Sequence, residues 1–153
     1  MTFNVVLADE NGTVANFEDF LINKAQQEKR TGRRRKTWIK LAEMYELQKY
    51  RLKTDPYPEE IKDVSSDDEN LPVVKEVIRH THLKQLYRWG LKVGATGNHR
   101  ILYTIHNYHK IVLLHHFIKR YNGDIKRKDI EPAEAVYFKY LERDPSHYPV
   151  EKG

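Results

Sequence analysis

The sequence predicts an α+β domain, a curved antiparallel sheet with an N-terminal helical hairpin and a C-terminal helix packed on one face. Three observations carry this expectation. Residues 86–121 read as three consecutive strands joined by links short enough to force antiparallel neighbours. Two stretches ahead of them repeat apolar residues at helical spacing, and one such stretch follows. The other face of the sheet would stay open to solvent, as antiparallel sheets permit.

The elements follow in order. Phe3–Ala8 is a short β-branched run that ends at the turn signal Asn11-Gly12, so it reads as a first strand. Asn16 is a favoured N-cap, and Glu18 and Asp19 suit the positive end of a helix that Phe17, Phe20, Leu21 and Ala25 carry to about Lys29. Gly32 breaks it. Thr37 caps a second helix with Trp38, Leu41, Ala42, Tyr45 and Leu52 on its apolar stripe, and Asp55-Pro56-Tyr57-Pro58 stops it. The segment from Asp55 to Asn70 holds seven acids and one lysine with little to bury, and reads as a solvated acidic insert.

Pro72 suits the first position of a short helix to about His80. Strands are then expected at 85–93, 99–106 and 110–119, with tight connections at Gly94–Asn98 and Asn107-Tyr108-His109. After the turn Asn122-Gly123, Pro132 and Glu134 open a last helix whose Ala133, Val136, Tyr137, Tyr140 and Leu141 can pack. Trp38, Tyr45 and Tyr137 read as core residues. One domain over residues 1–144 with a frayed tail at 145–153 fits the 153-residue length and the 39% hydrophobic content.

The formal net charge is +5, so the placement of charge matters more than its size. Cysteine is absent, which excludes disulfides and thiolate zinc sites. His80-x-His82 and His106-x-x-His109 lack further ligands at metal-binding spacing, and no phosphate-cradling glycine loop is present, so neither metal nor cofactor is expected. Nothing resembles a signal peptide or a membrane span of ~20 apolar residues, and the expectation is a cytoplasmic protein without membrane contact.

Side chains alternate across a sheet. In the middle strand Ile101, Tyr103 and Ile105 share one face, while Arg100, Thr104 and His106 share the other with Leu102. Strict alternation sets His115 with Ile111, Leu113 and Phe117, and His116 with Val112, Leu114 and Ile118. Both series are apolar, and which histidine faces solvent stays open. A face carrying arginine, lysine, histidine and tyrosine suits a phosphate backbone.

With the strands placed, a family resemblance emerges. Leu86-Tyr87 before a strand, Asn98-x-Arg100-Ile101-Leu102-Tyr103, Ile111-Val112-Leu113-Leu114-His115-x-Phe117-x-Lys119, and Glu131-x-Ala133 or Glu134-Ala135 in the following helix are similar to the RelE superfamily, in its HigB-like, phage-derived branch. The similarity covers about residues 71–143. It implies a RelE-like fold and the toxin of a type II toxin–antitoxin pair. Such a toxin is a metal-independent, ribosome-dependent mRNA endoribonuclease that leaves 2′,3′-cyclic phosphate and 5′-hydroxyl ends. Its implied partners are mRNA on the ribosome and a cognate antitoxin of helix-turn-helix type. Arg100 matches the arginine that opens a family strand, Lys119 with Arg120 and Tyr121 the basic end of the last strand, and His115 a histidine of the branch. Gly90 stands where the branch has arginine, and Arg88 where it has glutamate. Arg88 and Lys92 lie on the same side as Gly90, so charge remains there.

Cleavage by the ribose 2′-hydroxyl needs a proton acceptor, charge on the phosphorane-like transition state, and a proton for the leaving 5′ oxygen. Arg100 and Arg88 are expected on phosphate, Lys119 or Arg120 as further charge, and His116 or Tyr121 for proton transfer, with His115 kept as a candidate. Lys92 and the run Arg33, Arg34, Arg35, Lys36 are candidates for RNA contact, the run against a plain reading as a solvated hinge between helices. The alternative function is a RelE/ParE-fold binding module without nuclease activity, either a gyrase inhibitor or a degenerate toxin. A weaker alternative is a nucleic-acid-binding accessory protein that uses the Arg33–Lys36 run.

Overall fold

A computed structural model describes residues 2–32, 34, 36–57 and 71–153. The described residues form three helices and a five-stranded mixed sheet: β1 (Asn4–Leu7), α1 (Thr13–Thr31), α2 (Thr37–Leu52), β2 (Val73–Glu76), β3 (Tyr87–Lys92), β4 (Asn98–His106), β5 (Lys110–Ile118) and α3 (Arg127–Arg143). The chain is thus α+β, as its periodicities imply. Strand order is β1-β5-β4-β3-β2, antiparallel except for β1, which lies parallel to β5 with Val5 opposite Ile111. This corrects the all-antiparallel expectation, because short links constrain only the strands they join. β1 reaches β5 through the hairpin and most of the chain.

Both faces of the sheet are covered, not one. The α1/α2 hairpin packs Phe17, Leu21, Leu41, Tyr45 and Leu52 against Trp89, Leu91, Ile101, Tyr103, Ile105, Ile111 and Leu113. On the opposite side α3 sets Ile130, Ala133, Tyr137 and Tyr140 against Leu86, Leu102, Val112 and Leu114. The polar character of Thr104 and His106 suggested an open face, yet both are buried because hydrogen bonds go in with them. His106 Nδ1 lies 2.9 Å from the Tyr137 hydroxyl, and its Nε2 lies 3.1 Å from Asn107 Nδ2 and 3.3 Å from Asp144. Asp144 also accepts from Lys110 and from the Tyr140 hydroxyl, each at 2.6 Å, and these bonds hold its carboxyl well below the usual range.

Other boundaries move for identifiable reasons. α1 begins at Thr13, behind Gly12 and not after Asn16, and Gly32 ends it in the left-handed conformation at φ 63°. The stretch read as a short helix after Pro72 is instead β2, whose β-branched Val73 and Val74 pair with Gly90 and Trp89. α3 starts at Arg127, five residues ahead of Pro132, which sits inside the helix. The asparagine of the β4–β5 link does mark a tight hairpin, with φ 51° at Asn107 and 62° at Tyr108. The tail is not frayed. Lys84 N donates to Val150 O at 3.0 Å, Lys152 N to His82 O at 2.9 Å, and the Tyr148 ring lies 4.4 Å from that of Tyr108. Tyr45 and Tyr137 are buried as expected, whereas Trp38 is half-buried, edge-on to Phe20. No helix among the described residues is long and apolar enough to cross a membrane.

One irregularity matters most. Leu102 pairs with His115 but Tyr103 pairs with Leu113, so Leu114 is an extra residue on β5. Such a bulge inverts the alternation beyond it. His116 therefore turns toward the hairpin, where its ring stacks on Phe17 at 4.0 Å and its Nε2 lies 2.9 Å from His99 Nδ1. The other nitrogen of His99 meets the Thr96 carbonyl at 3.0 Å, so the neutral arrangement has His116 donating to His99 and His99 to the backbone. Burial, with His99 and His115 nearby, pushes the His116 pKa down to about 3.

A histidine held neutral in the fold binds a proton on unfolding wherever the pH lies between its folded value of about 3 and its ordinary 6.5. Stability is therefore full above that window and falls as the pH drops through it. Denaturant titrations at pH 7 and pH 4.5 should show wild type losing stability at the lower pH. His116→Gln, whose amide can still donate to His99, should lose less by about 1.4 kcal/mol per pH unit. Equal slopes would show that this ring does not titrate on unfolding.

Candidate nucleic-acid interface

Toward the end of the sheet where β4 begins, burial on the α3 side is only partial. There Gly90 of β3, Arg100 of β4 and Phe117 of β5, each half-buried, lie side by side in one row. The guanidinium of Arg100 lies over Gly90, where a side-chain Cβ would come within 2.8 Å of Nη1. The glycine thus gives up the position for the neighbouring arginine, and the same spot keeps a guanidinium from an adjacent strand. Arg100 Nη1 donates to Asn98 Oδ1 at 2.5 Å and to the His99 carbonyl at 3.2 Å, while its buried Nε has no hydrogen-bond partner.

Arg88 and Lys119 complete the cluster. Burial and the charge of Arg88 pull the Arg100 pKa down, and burial with Arg100 and Arg88 does the same to Lys119 against the opposing pull of Asp124. Among the described residues, no carboxylate comes within ion-pair distance of Arg88, Arg100 or Lys119. Two guanidiniums and an ammonium gathered without ion-pair partners suit an incoming anion, because arginine grips phosphate oxygens in a fixed fork. A cleft of about 510 Å³ opens beside them, lined by Arg88 and Lys119 with Val77, Ile78, Arg79, Asp124 and Ile125 among others.

The remaining candidates separate. His115 faces the α3 side opposite Leu102, half-buried, with Nδ1 2.9 Å from the hydroxyl of Thr13, which also accepts the His116 amide at 2.9 Å. Burial lowers the His115 pKa and Asp129 opposes this, so the neutral form required of a general base is favoured. His116 lies on the hairpin side and takes no part in the cluster. Tyr121 is poorly placed for proton transfer, because its hydroxyl donates to Asp129 at 2.5 Å and burial with this bond raises its pKa. Its ring instead collects cations: Lys126 at 4.8 Å, Lys119 at 5.3 Å and Lys128 at 5.7 Å.

Arg120 and Lys92 are exposed, and Lys92 follows Gly90 on the same face of β3. Arg34 and Lys36 are exposed in the α1–α2 connection, in the layer opposite the cluster, and Arg33 and Arg35 lie outside the described residues, as does the acidic insert from residue 58 to 70. Lys126 and Lys128 escaped the sequence reading although the run Lys126-Arg127-Lys128 was visible. Arg79 and Asp124 carried no sequence signal.

No family model matches the chain, and no curated protein matches it.

Like charges without counter-ions destabilise the fold that holds them. Arg88→Gln should leave the structure intact and raise stability by roughly 0.5 kcal/mol at low ionic strength, with the gain fading at high salt. A loss of stability, or a gain insensitive to salt, would show that Arg88 is held by a favourable partner.

Proposed function

We propose that this chain is a RelE-superfamily toxin of the HigB-like kind that binds single-stranded mRNA on this half-buried end of its sheet and cuts it. The observation that carries this reading is the cluster of Arg88, Arg100 and Lys119, none of which forms an ion pair among the described residues. Arg88 and Arg100 hold the non-bridging oxygens of one phosphodiester and stabilise the charge that grows on them in the transition state. His115 accepts the 2′-hydroxyl proton as that oxygen attacks phosphorus. The Lys119 ammonium, its pKa lowered by burial and by Arg100 and Arg88, gives a proton to the departing 5′ oxygen. The products are a 2′,3′-cyclic phosphate and a 5′-hydroxyl, and the scheme requires no metal because the side chains supply the positive charge. The lysines over Tyr121 lie along the path of a neighbouring phosphate. The implied partners are the translating ribosome and an antitoxin of helix-turn-helix type that covers this basic face.

One observation favours a second reading, a binding module without nuclease activity, acting on DNA gyrase or only on an antitoxin. With His116 withdrawn and the Tyr121 hydroxyl committed to Asp129, His115 is left alone as a proton acceptor.

Expression of the chain alone should arrest growth and produce cuts in translated mRNA ending in 2′,3′-cyclic phosphate. Arg100→Ala should slow cutting by about 10²–10³-fold, the usual cost of one preorganised charge. Arrest with intact mRNA and blocked DNA supercoiling would replace the first reading by the second. A harmless wild-type chain would overturn both.

A further inference from the structure

We infer that the cleft beside the cationic cluster seats a nucleobase of the bound RNA, and that Asp124 and Arg79 select guanine there. The inference rests on the RNA reading above. The cleft shares Arg88 and Lys119 with the cluster, so a nucleotide whose phosphate lies on those groups has this space next to it. Its volume of about 510 Å³ falls within the ~300–1,000 Å³ typical of small-molecule sites. Its apolar lining is Ile125, which is 5% exposed, half-buried Val77 and exposed Ile78, among charged neighbours. Flat aromatic ligands gain from such a lining, and single-stranded RNA offers unstacked bases to it.

Two of the charged lining residues, beside Lys75, Glu76, Arg88 and Lys119, form an ion pair. Arg79 Nη1 lies 3.4 Å from Asp124 Oδ2, with the two side chains 78% and 59% exposed, and Asp124 Oδ1 has no partner among the described residues. A carboxylate beside a guanidinium offers acceptors next to donors. Guanine is the base whose Watson–Crick edge matches both, because N1–H and the N2 amine donate to a carboxylate while O6 accepts from the arginine. Adenine and cytosine present one amine to the carboxylate, and uracil meets it with carbonyl oxygens flanking a single N–H.

The wall is preformed, which reduces the ordering cost of binding. Val77 N donates to Leu86 O at 2.8 Å, Lys152 Nζ to the Ile78 carbonyl at 2.5 Å, and Arg127 to the His80 carbonyl at 3.1 Å. Arg127 in turn pairs at 2.6 Å with Glu134, a buried carboxylate that also accepts from the Thr81 hydroxyl and the His82 amide. The segment that carries Arg79 is therefore fixed from the sheet, from α3 and from the tail.

The test measures fluorescence anisotropy with uncleavable 2′-O-methyl hexamers of uridine that carry guanosine, adenosine, cytidine or uridine at one central position. Wild type should bind the guanosine hexamer on the order of tenfold more tightly than the all-uridine one. Asp124→Ala and Arg79→Ala should each remove most of that preference while leaving uridine binding within about twofold. Arg88→Ala should weaken all four alike. Equal binding of the four hexamers by wild type, or a guanosine preference that survives in both cleft variants, overturns the inference and leaves the RNA reading standing. Failure of wild type to bind any hexamer at low salt overturns both.

Discussion

Between Leu102 and Tyr103 the pairing of β4 with β5 slips by one residue, and the side chains that the last strand shows to each layer change places beyond that point. Ahead of the slip, Ile111 and Leu113 feed the core under the hairpin; after it, Phe117 packs with the α3-side core. His115 and His116 straddle the change. One is delivered to the side that carries Arg88, Arg100 and Lys119, the other to a stack on Phe17. Without the extra residue, the two rings would exchange layers and the cationic side would have a different neighbour. A bulge beside a functional surface is a recurrent way of re-aiming a side chain.

The second constraint is partial cover. α3 buries the end of this sheet face where Leu102, Thr104 and His106 lie, whereas Gly90 and Arg100 farther along it are only half-buried. Under the helix, polar groups persist only because each is hydrogen-bonded, as His106 is to Tyr137 and Glu134 to Thr81. Beyond it, positive groups crowd one another, with an unpartnered Nε on Arg100. Crowding of this kind lowers stability and is resolved when an anion arrives. This contrast between the two ends of one face marks the second as the candidate binding surface.

Much of this was legible in the chain. Period-2 alternation placed Ile101, Tyr103 and Ile105 on one side and Arg100 on the other, and the structure agrees. The tight links gave the β3-β4-β5 meander, and helical spacing gave the hairpin. What stayed hidden depends on contacts distant in sequence. No local pattern tells that β1 lies parallel to β5, or that α3 crosses to the far face. Pro72 points to a helix start, but the two β-branched valines behind it favour the strand that forms. The bulge adds one residue to a strand that looks regular, and so the face of each histidine could not be read. At the site, strand parity grouped Arg88 and Arg100, but the Arg79–Asp124 pair comes from two separate connecting segments and left no trace in sequence.

The parallel pairing of β1 with β5 has a bearing on how the molecule assembles. Val5 finds Ile111 across about a hundred residues of chain, whereas each hairpin of the meander closes over a handful. Loop-closure entropy grows with that span, and contacts so remote in sequence form slowly. The first strand thus has no edge to join until the last strand exists. Thr13, a few residues behind β1, is held against His115 and His116 only once that edge is occupied. The ring assigned to proton transfer is therefore held by a contact that spans about a hundred residues of chain, whereas a short hairpin brings the arginines of the central strands together.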